Sequence, residues 1–173
     1  MFHFKDNIYP FNGIKEERKI VRCVLLDNDE KVVLELMERN DIFSYSKYLE
    51  TPGGGLNKEE SFYDGLKREI KEELGYEIEI ISELDVVEDY YNLLYRKNIN
   101  HYFLAKIVAK CDKHLEELEK EIIRGEIHLS FDDAINKIKE NIGGVGKLVL
   151  QRELPILELA KQKYMELKKW NLD

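Results

Sequence analysis

The chain has 173 residues, enough for one domain with a proper core and too few for two comfortable ones, so we expect a single domain over residues 1–173. A hydrophobic content of 43% excludes a disordered chain, and a formal net charge of −8 with no concentrated basic patch argues against a nucleic-acid groove. The sequence shows no signal-peptide core and no apolar run of membrane-spanning length, so we expect a cytoplasmic protein that binds no membrane.

The first part of the chain predicts an arm followed by two strands. Residues 1–18 mix aromatic and polar side chains, and we expect an N-terminal arm that packs on the domain or contributes to a dimer contact. The β-branched run from Lys19 to Leu26 and the run from Lys31 to Met37 predict a hairpin in a central sheet. The aromatic-rich stretch through Phe43, Tyr45 and Tyr48 leads directly into the glycine loop. Arg39, Tyr45 and Tyr48 are therefore candidates to contact a ligand at that loop, and packing within a loop is the alternative for each.

Next come a glycine loop, Gly53 to Gly55, and a predicted helix from about Lys58 or Glu59 to Leu74. A short polar side chain at a helix start accepts a hydrogen bond from an unpaired backbone N–H, and a glycine is favoured just past the end. The residues suited to these two places are Asn57 or Ser61 at the start and Gly75 at the end.

The predicted helix has two distinct faces. One is an apolar stripe expected to face the core, formed by Tyr63, Leu66, Ile70 and Leu74. The other carries Glu69, Glu72 and Glu73 at positions i, i+3 and i+4, where three like charges repel one another. A hard divalent cation such as Mg²⁺ takes oxygen ligands and would offset this repulsion. Gly65, one turn earlier, is expected to leave room for a ligand.

The loop and helix together resemble the Nudix box, the signature of the Nudix hydrolase superfamily (MutT-like). All polar and glycine positions of that pattern are present, in the string Gly54-x5-Glu60-x7-Arg68-Glu69-Ile70-x-Glu72-Glu73-x-Gly75-Tyr76. The last position departs from the family pattern, because it is usually aliphatic and here is Tyr76. That residue begins the next predicted strand, so the departure concerns packing more than chemistry.

The resemblance implies a metal site. In the family, the glutamates that match Glu69, Glu72 and Glu73 hold one or more Mg²⁺ or Mn²⁺ ions, and one of them helps to activate water. A backbone carbonyl at the position of Gly53 or Gly54 often completes the metal shell. The spacing alone does not identify which carboxylate is the base.

The resemblance also implies a set of catalytic and substrate-binding residues. The catalytic set is Glu69, Glu72, Arg68 and Glu60, in which Arg68 orients the carboxylates and Glu60 forms a salt bridge with Arg68 or reaches the metal through water. The candidate substrate contacts are Gly53 and Gly54 of the loop, Arg39 in the segment that leads into it, and Tyr91, which with Tyr95 brackets the place where a tyrosine in the family is associated with dinucleoside polyphosphates.

Strands are predicted again after the box. The alternation that begins at Tyr76 predicts a half-buried strand to Val87, and Asn100 to Val108 is the clearest late strand. Between them, Tyr90 to Arg96 is expected to form either a hairpin arm or a wall that stacks on a base. Asp85, Glu88 and Asp89, near the end of the first strand, are candidates for an extra metal ligand.

The last part of the chain is predicted to be mainly helical. Residues 112–126 predict a short helix or a loop. One of its four glutamates is a candidate for the water-activating base or for a further metal ligand, and the four are Glu116, Glu117, Glu119 and Glu121. Ser130 is a suitable N-cap for a helix that runs to Glu140. The glycine-rich segment 141–147 predicts a break, and 147–170 predicts a C-terminal helix in which Pro155 marks a kink or the true start.

Together these features predict an α+β protein, a Nudix-type α/β/α sandwich with a central mixed β-sheet. The implied activity is metal-dependent hydrolysis of the pyrophosphate bond of a nucleoside diphosphate linked to another moiety X: a nucleoside triphosphate, a dinucleoside polyphosphate or a nucleotide sugar. The alternative is a non-catalytic nucleotide-binding or regulatory module on the same fold. The expected partners are Mg²⁺ or Mn²⁺, a small-molecule nucleotide and a second copy of the chain in a homodimer, with no nucleic acid and no membrane.

Overall fold

The computed structural model describes residues 1–170. Within them, seven strands form one sheet: β1 (Phe2–Phe4), β2 (Glu16–Leu26), β3 (Val32–Asp41), β4 (Ser44–Glu50), β5 (Tyr76–Tyr91), β6 (Arg96–Lys110) and β7 (Ile123–Leu129). The four α-helices of the same residues are α1 (Phe62–Leu74), α2 (Glu117–Ile122), α3 (Phe131–Lys137) and α4 (Gly143–Trp170).

The sheet is mixed, as the sequence predicted. Its strands follow the order β1-β5-β6-β2-β3-β4, and β7 pairs with β3 beside this path. The pairs β1–β5 and β2–β6 are parallel, whereas the other pairs are antiparallel. The β2–β6 pair is continuous from Glu16 opposite Arg96 to Leu26 opposite Lys106, so β2 lies in the middle of the sheet.

Helices cover both faces of the sheet. Alternate residues of β2 point to opposite faces, so Val21 and Cys23 pack beneath α1, whereas Val24 faces the helices α3 and α4. The side chains that α1 buries on the first face are Leu66, Ile70 and Leu74, and those from α3 and α4 on the second include Phe131, Ala134, Ile156 and Leu157. The predicted α/β/α sandwich is confirmed.

The predicted hairpin of β2 and β3 is present but short. These strands pair only at Leu25 opposite Val33 and at Leu26 opposite Val32, and β3 then pairs with β4 and β7 instead. Beyond these two pairs, the edge of β2 is open to the segment that carries the glycine loop. This divergence is the feature of the fold that makes room for the candidate site.

Helix α1 begins later than the predicted start at residue 58 or 59. Ser61 is the N-cap, with its Oγ accepting a hydrogen bond from the Asp64 N–H at 3.1 Å, and Gly75 ends the helix with a φ of +71°. Tyr63, predicted to face the core, is 46% exposed, and its hydroxyl donates to Glu83. The buried stripe therefore starts at Leu66.

Two strands lie where the sequence predicted a loop or a short helix. β4 contains the aromatic stretch through Tyr48, and β7 occupies the end of the segment 112–126 and continues beyond it. β7 includes Gly125, whose φ of +142° lies beside a register shift between Leu36 and Met37 of β3. A glycine adopts this conformation without steric cost, so here it permits an irregular strand rather than ending one.

The boundaries at both ends of the chain also differ from the predictions. The arm over 1–18 ends earlier, because β2 starts at Glu16, and it contributes β1 to the sheet edge. The C-terminal helix starts at Gly143, not at residue 147, and Pro155 lies inside it. A Cβ on Gly144 would run into the Tyr9 hydroxyl, so this glycine permits close packing against the arm instead of breaking the helix.

Candidate active site

The glycine loop lies along the open edge of β2. The N–H of Val21 donates to the Gly54 carbonyl at 2.9 Å, and the N–H of Cys23 donates to the Pro52 carbonyl at 3.1 Å. Gly53 has a φ of +135°, and a Cβ there would collide with the Val21 carbonyl oxygen. Only glycine therefore fits at residue 53, and the Gly54 carbonyl is already bonded to the strand.

Carboxylates from two helices converge beside this loop. Glu69 and Glu73 of α1 and Glu119 of α2 each offer an oxygen, and these oxygens lie within 4.8 Å of one another. Glu69 and Glu73 are buried, at 7% and 6% exposed. Gly54 lies against the Glu69 carboxylate, where a Cβ would collide with it, and the Gly53 N–H donates to Glu73 Oε2 at 3.0 Å.

Backbone hydrogen bonds bring Glu119 to this cluster. The Cys111 N–H donates to the Gly75 carbonyl at 2.8 Å, and the His114 N–H donates to the Glu72 carbonyl at 2.9 Å, so the segment after β6 is attached to the end of α1. The side chain of Glu119 also accepts from the Glu116 N–H at 2.7 Å, in a capping box at the start of α2. Of the four glutamates predicted as a group, Glu119 is the one in the cluster.

Arg68 links the box residues by five hydrogen bonds. Its Nε and Nη2 donate to the two oxygens of Glu60 at 2.8 and 2.9 Å, and Nη2 also donates to the Gly55 carbonyl at 3.0 Å. Its Nη1 donates to Glu69 at 2.8 Å and to Glu72 at 3.0 Å. The side chain of Glu72 is 38% exposed, so it lies at the mouth of the cluster and not within it.

The electrostatics of the cluster fit a hard cation. Burial, and then the nearby charge of Glu69, raise the pKa of Glu73, and burial likewise raises the pKa of Glu69 despite its bond from Arg68. By contrast, hydrogen bonds from Arg68 lower the pKa of Glu60 to about 2. The buried oxygens are therefore short of positive charge, and an all-carboxylate donor set is the kind that Mg²⁺ or Mn²⁺ accepts.

Sequence reasoning missed Glu35 on β3, a further carboxylate of this region. It is 1% exposed, and its Oε1 has no hydrogen-bond partner within residues 1–170. Burial, and then the charges of Glu73 and Glu50, raise its pKa well above the ordinary value for glutamate. The sequence did carry a signal that could have found Glu35. It lies two residues after the buried Val33 in β3, so the two side chains point to the same face of the sheet.

A separate group of buried charges ties the chain before the loop to α4. Arg152 donates to Glu50 at 2.8 Å, to Asp89 at 3.1 Å and to Glu153 at 2.9 Å, and all four residues are at most 7% exposed. The hydroxyl of Thr51 donates to Glu153 at 2.7 Å. Asp89, predicted as a possible metal ligand, is therefore part of this structural cluster and lies outside the carboxylate group on α1 and α2.

The two predicted substrate contacts outside the loop line one cavity of about 140 Å³. Arg39 is paired with Asp41, and the Tyr91 hydroxyl accepts a hydrogen bond from Arg152 at 3.2 Å. The sequence predicted room for a ligand beside Gly65, but Leu56 and Glu60 fill the place where a Cβ would lie. These two side chains therefore occupy the space that was expected to be free for a ligand.

Comparison with known proteins gives a family and several structural neighbours. The family described as "NUDIX domain" matches residues 16–145. No curated protein matches the chain. Within residues 1–170, no helix is both long and apolar enough to cross a membrane.

Among solved structures, a NUDIX hydrolase from Nitrosomonas europaea is similar over 70% of this chain and 78% of its own, with 20% identity and a TM-score of 0.58. The E. coli ORF135 protein is similar over 92% and 96%, with 20% identity and a TM-score of 0.60. A MutT NUDIX hydrolase from Burkholderia pseudomallei covers 68% and 86%, with 18% identity and a TM-score of 0.55. These identities support a shared fold, whereas the family match extends from β2 across the box to the start of α4. The chain therefore belongs to the Nudix family.

Proposed function

We propose that this protein is a divalent-metal-dependent pyrophosphohydrolase that cleaves the pyrophosphate bond of a nucleoside diphosphate linked to another moiety. The observation that carries the proposal is the convergence of Glu69, Glu73 and Glu119 within 4.8 Å beside the glycine loop. Two of these three carboxylates are buried, which is costly for an isolated charge and is offset when a cation binds.

In this proposal the carboxylates hold Mg²⁺ or Mn²⁺, with Glu72 at the mouth of the site as a further ligand or a base for water. The metal would neutralise phosphate charge and lower the pKa of a bound water. Arg68 fixes the orientation of Glu69 and Glu72 through its bonds at 2.8 and 3.0 Å. Glu60 in turn fixes Arg68, so both act as positioning residues.

The loop has two roles in the same proposal. The Gly53 N–H donates to Glu73 and holds that carboxylate in place at 3.0 Å. Because the Gly54 carbonyl is bonded to Val21, the Gly53 carbonyl is the better candidate for a backbone ligand to the metal. We also propose that Arg39 and Tyr91 contact the substrate.

The test is a screen of nucleoside triphosphates, dinucleoside polyphosphates and nucleotide sugars with MgCl₂ or MnCl₂, with products identified by mass spectrometry. We expect a nucleoside monophosphate or phosphate to be released, and we expect EDTA to abolish the release. The single variants Glu69→Gln, Glu72→Gln and Glu73→Gln should each lose activity about a hundredfold or more, since even residues that support metal ligands contribute about 10- to 100-fold.

Glu119→Gln removes the negative charge but keeps the cap of α2, because a glutamine can still accept the hydrogen bond from the Glu116 N–H. The matched control is Glu117→Gln, since Glu117 lies on the same helix but pairs with Lys120 at the surface. We expect the first variant to lose activity and the control to keep it. Tight nucleotide binding without turnover in the unmodified protein would contradict the proposal and favour a binding module.

A further inference from the structure

The cavity of about 140 Å³ that Arg39 and Tyr91 line has more arginines than carboxylates in its lining, in a protein whose net charge is −8. It is lined by four arginines and one carboxylate, contributed by β2, β3, β4 and β6: Arg18, Arg22, Arg39, Arg96 and Glu50. Guanidinium groups gathered in one cavity repel one another, and an anionic occupant would offset that repulsion.

Three of these arginines have acidic partners, and the fourth has none. Arg22 lies 3.2 Å from Glu50, Arg96 lies 2.8 Å from Glu16, and Arg39 pairs with Asp41. Arg18 forms no ion pair with any residue in the part of the chain that the structure describes. Its guanidinium lies against Gly55, where a Cβ would collide with it, so it adjoins the loop that borders the carboxylate cluster.

The size of the cavity limits what it can hold. Pockets for whole small-molecule ligands measure about 300–1,000 Å³, whereas this one has about 140 Å³, the space of four or five waters. It therefore accommodates one compact group of a larger substrate. The guanidinium fork matches phosphate oxygens in a planar, bidentate geometry, which makes phosphate the compact anion best suited to an arginine-lined site.

We infer that this cavity binds a phosphate group that the substrate carries in addition to the pyrophosphate that is cleaved. The inference rests on the proposed hydrolase function, and it narrows the substrate class to nucleotides with three or more phosphates or with a phosphorylated second moiety. Arg18 is the residue that determines this specificity, because it carries an uncompensated charge next to the loop. An uncharged sugar or a base in the cavity is the competing outcome.

The first experiment compares substrates with and without the additional phosphate. ATP and diadenosine tetraphosphate carry it, whereas ADP-ribose and UDP-glucose do not, and we expect kcat/KM to be at least about tenfold higher for the first pair. Arg18→Gln should raise KM for the first pair about 10- to 100-fold, the range for a hydrogen bond to a charged group, and should change KM for ADP-ribose less than about twofold. Arg18→Lys keeps the charge and should retain much of the preference.

The control is Lys161→Gln, which removes one positive charge from α4 at a residue paired with Asp132, outside the cavity lining. It should behave as the unmodified protein with every substrate. A preference for ADP-ribose or UDP-glucose, or an equal effect of Arg18→Gln on all four compounds, would overturn the inference.

The second experiment measures binding without turnover. Inorganic tripolyphosphate is titrated in the presence of EDTA into the unmodified protein, Arg18→Gln and Glu73→Gln, with calorimetric detection. We expect binding to weaken at least about tenfold in Arg18→Gln and to persist in Glu73→Gln, because the cavity does not depend on the metal ligands.

The two experiments separate the two claims. Hydrolysis of the panel combined with no tripolyphosphate binding would overturn the phosphate cavity and leave the proposed function intact. Binding that depends on Arg18, combined with no hydrolysis of any compound, would overturn the proposed function and support the cavity as an anion site.

Discussion

Replacing Arg152 by methionine tests the buried charge cluster that connects α4 to the chain before the glycine loop. The substitution keeps a long apolar side chain but removes hydrogen bonds to Glu50, Asp89, Glu153 and the Tyr91 hydroxyl, at 2.8, 3.1, 2.9 and 3.2 Å. Arg152 is 1% exposed and Glu153 is fully buried, so water cannot replace these bonds without opening the core.

The expected loss of stability follows from the charges that Arg152→Met leaves in the core. Three carboxylates that are at most 7% exposed would lose their central cation, and Arg22, 3.2 Å from Glu50, would be the nearest positive charge left. Removing one partner of a buried ion pair costs about 3–5 kcal/mol, since it leaves an uncompensated charge. For a protein of this size, that loss lowers the midpoint of thermal unfolding by about 6–20 °C.

The assay is urea denaturation at neutral pH together with differential scanning calorimetry. The matched control is Lys161→Met on the same helix, whose exposed pair with Asp132 should contribute less than about 1 kcal/mol. Adding Glu153→Gln to Arg152→Met should recover part of the lost stability, because it removes one unpaired charge. A free energy of unfolding for Arg152→Met within about 1 kcal/mol of the unmodified protein would refute the reasoning.

Further predictions concern the loop, a histidine pair and the metal. Gly54→Ala places a Cβ against the Glu69 carboxylate, and we expect about a hundredfold loss of hydrolysis with little change in the unfolding midpoint; full activity would show that this contact is not needed. Burial by itself would lower the pKa of His128, but the hydrogen bonds that its protonated ring donates to Asp27 and Glu126 raise the pKa above 6.5. The protonated form therefore stabilises the fold below that pH, and the contribution is lost as pH rises through the raised pKa. The stability difference between the unmodified protein and His128→Gln, measured by urea denaturation, should therefore be larger at about pH 5 than at about pH 9, and a constant difference would contradict this. MgCl₂ at about 100 times its dissociation constant should stabilise the protein by about 2.7 kcal/mol in a thermal shift assay, and KCl at equal ionic strength should not.

The buried charge cluster around Arg152 also holds the chain that enters the glycine loop. Thr51 lies two residues before Gly53, the first residue of the glycine loop. Its hydroxyl donates to Glu153, and its carbonyl accepts from Arg22 at 2.7 Å. Helix α4 therefore fixes the entry of the loop from the face of the sheet opposite α1. Through Gly53 and its bond to Glu73, this anchoring extends to the carboxylates.

The sequence by itself determined the local parts of the site. On a helix, residues at i, i+3 and i+4 share a face whatever surrounds them, so the spacing of Glu69, Glu72 and Glu73 was sufficient to place them side by side. The residue types at Gly53 and at the helix cap also follow from short-range chemistry, since a φ of +135° and an unpaired N–H each demand particular residue types. The sequence left the cap open between Asn57 and Ser61, and the structure has Ser61. The strand periodicity likewise identified the central hairpin.

Tertiary structure alone decided which distant residues join the site. Glu119 reaches the carboxylates because the segment after β6 is bonded to the end of α1, and nothing in its own neighbourhood distinguishes it from Glu117. The arginines at 18, 39 and 96 come from three different strands, so their common cavity is invisible in a chain whose charges sum to −8. Net charge counts residues without regard to position, whereas electrostatic binding depends on which charges the fold brings within a few ångströms.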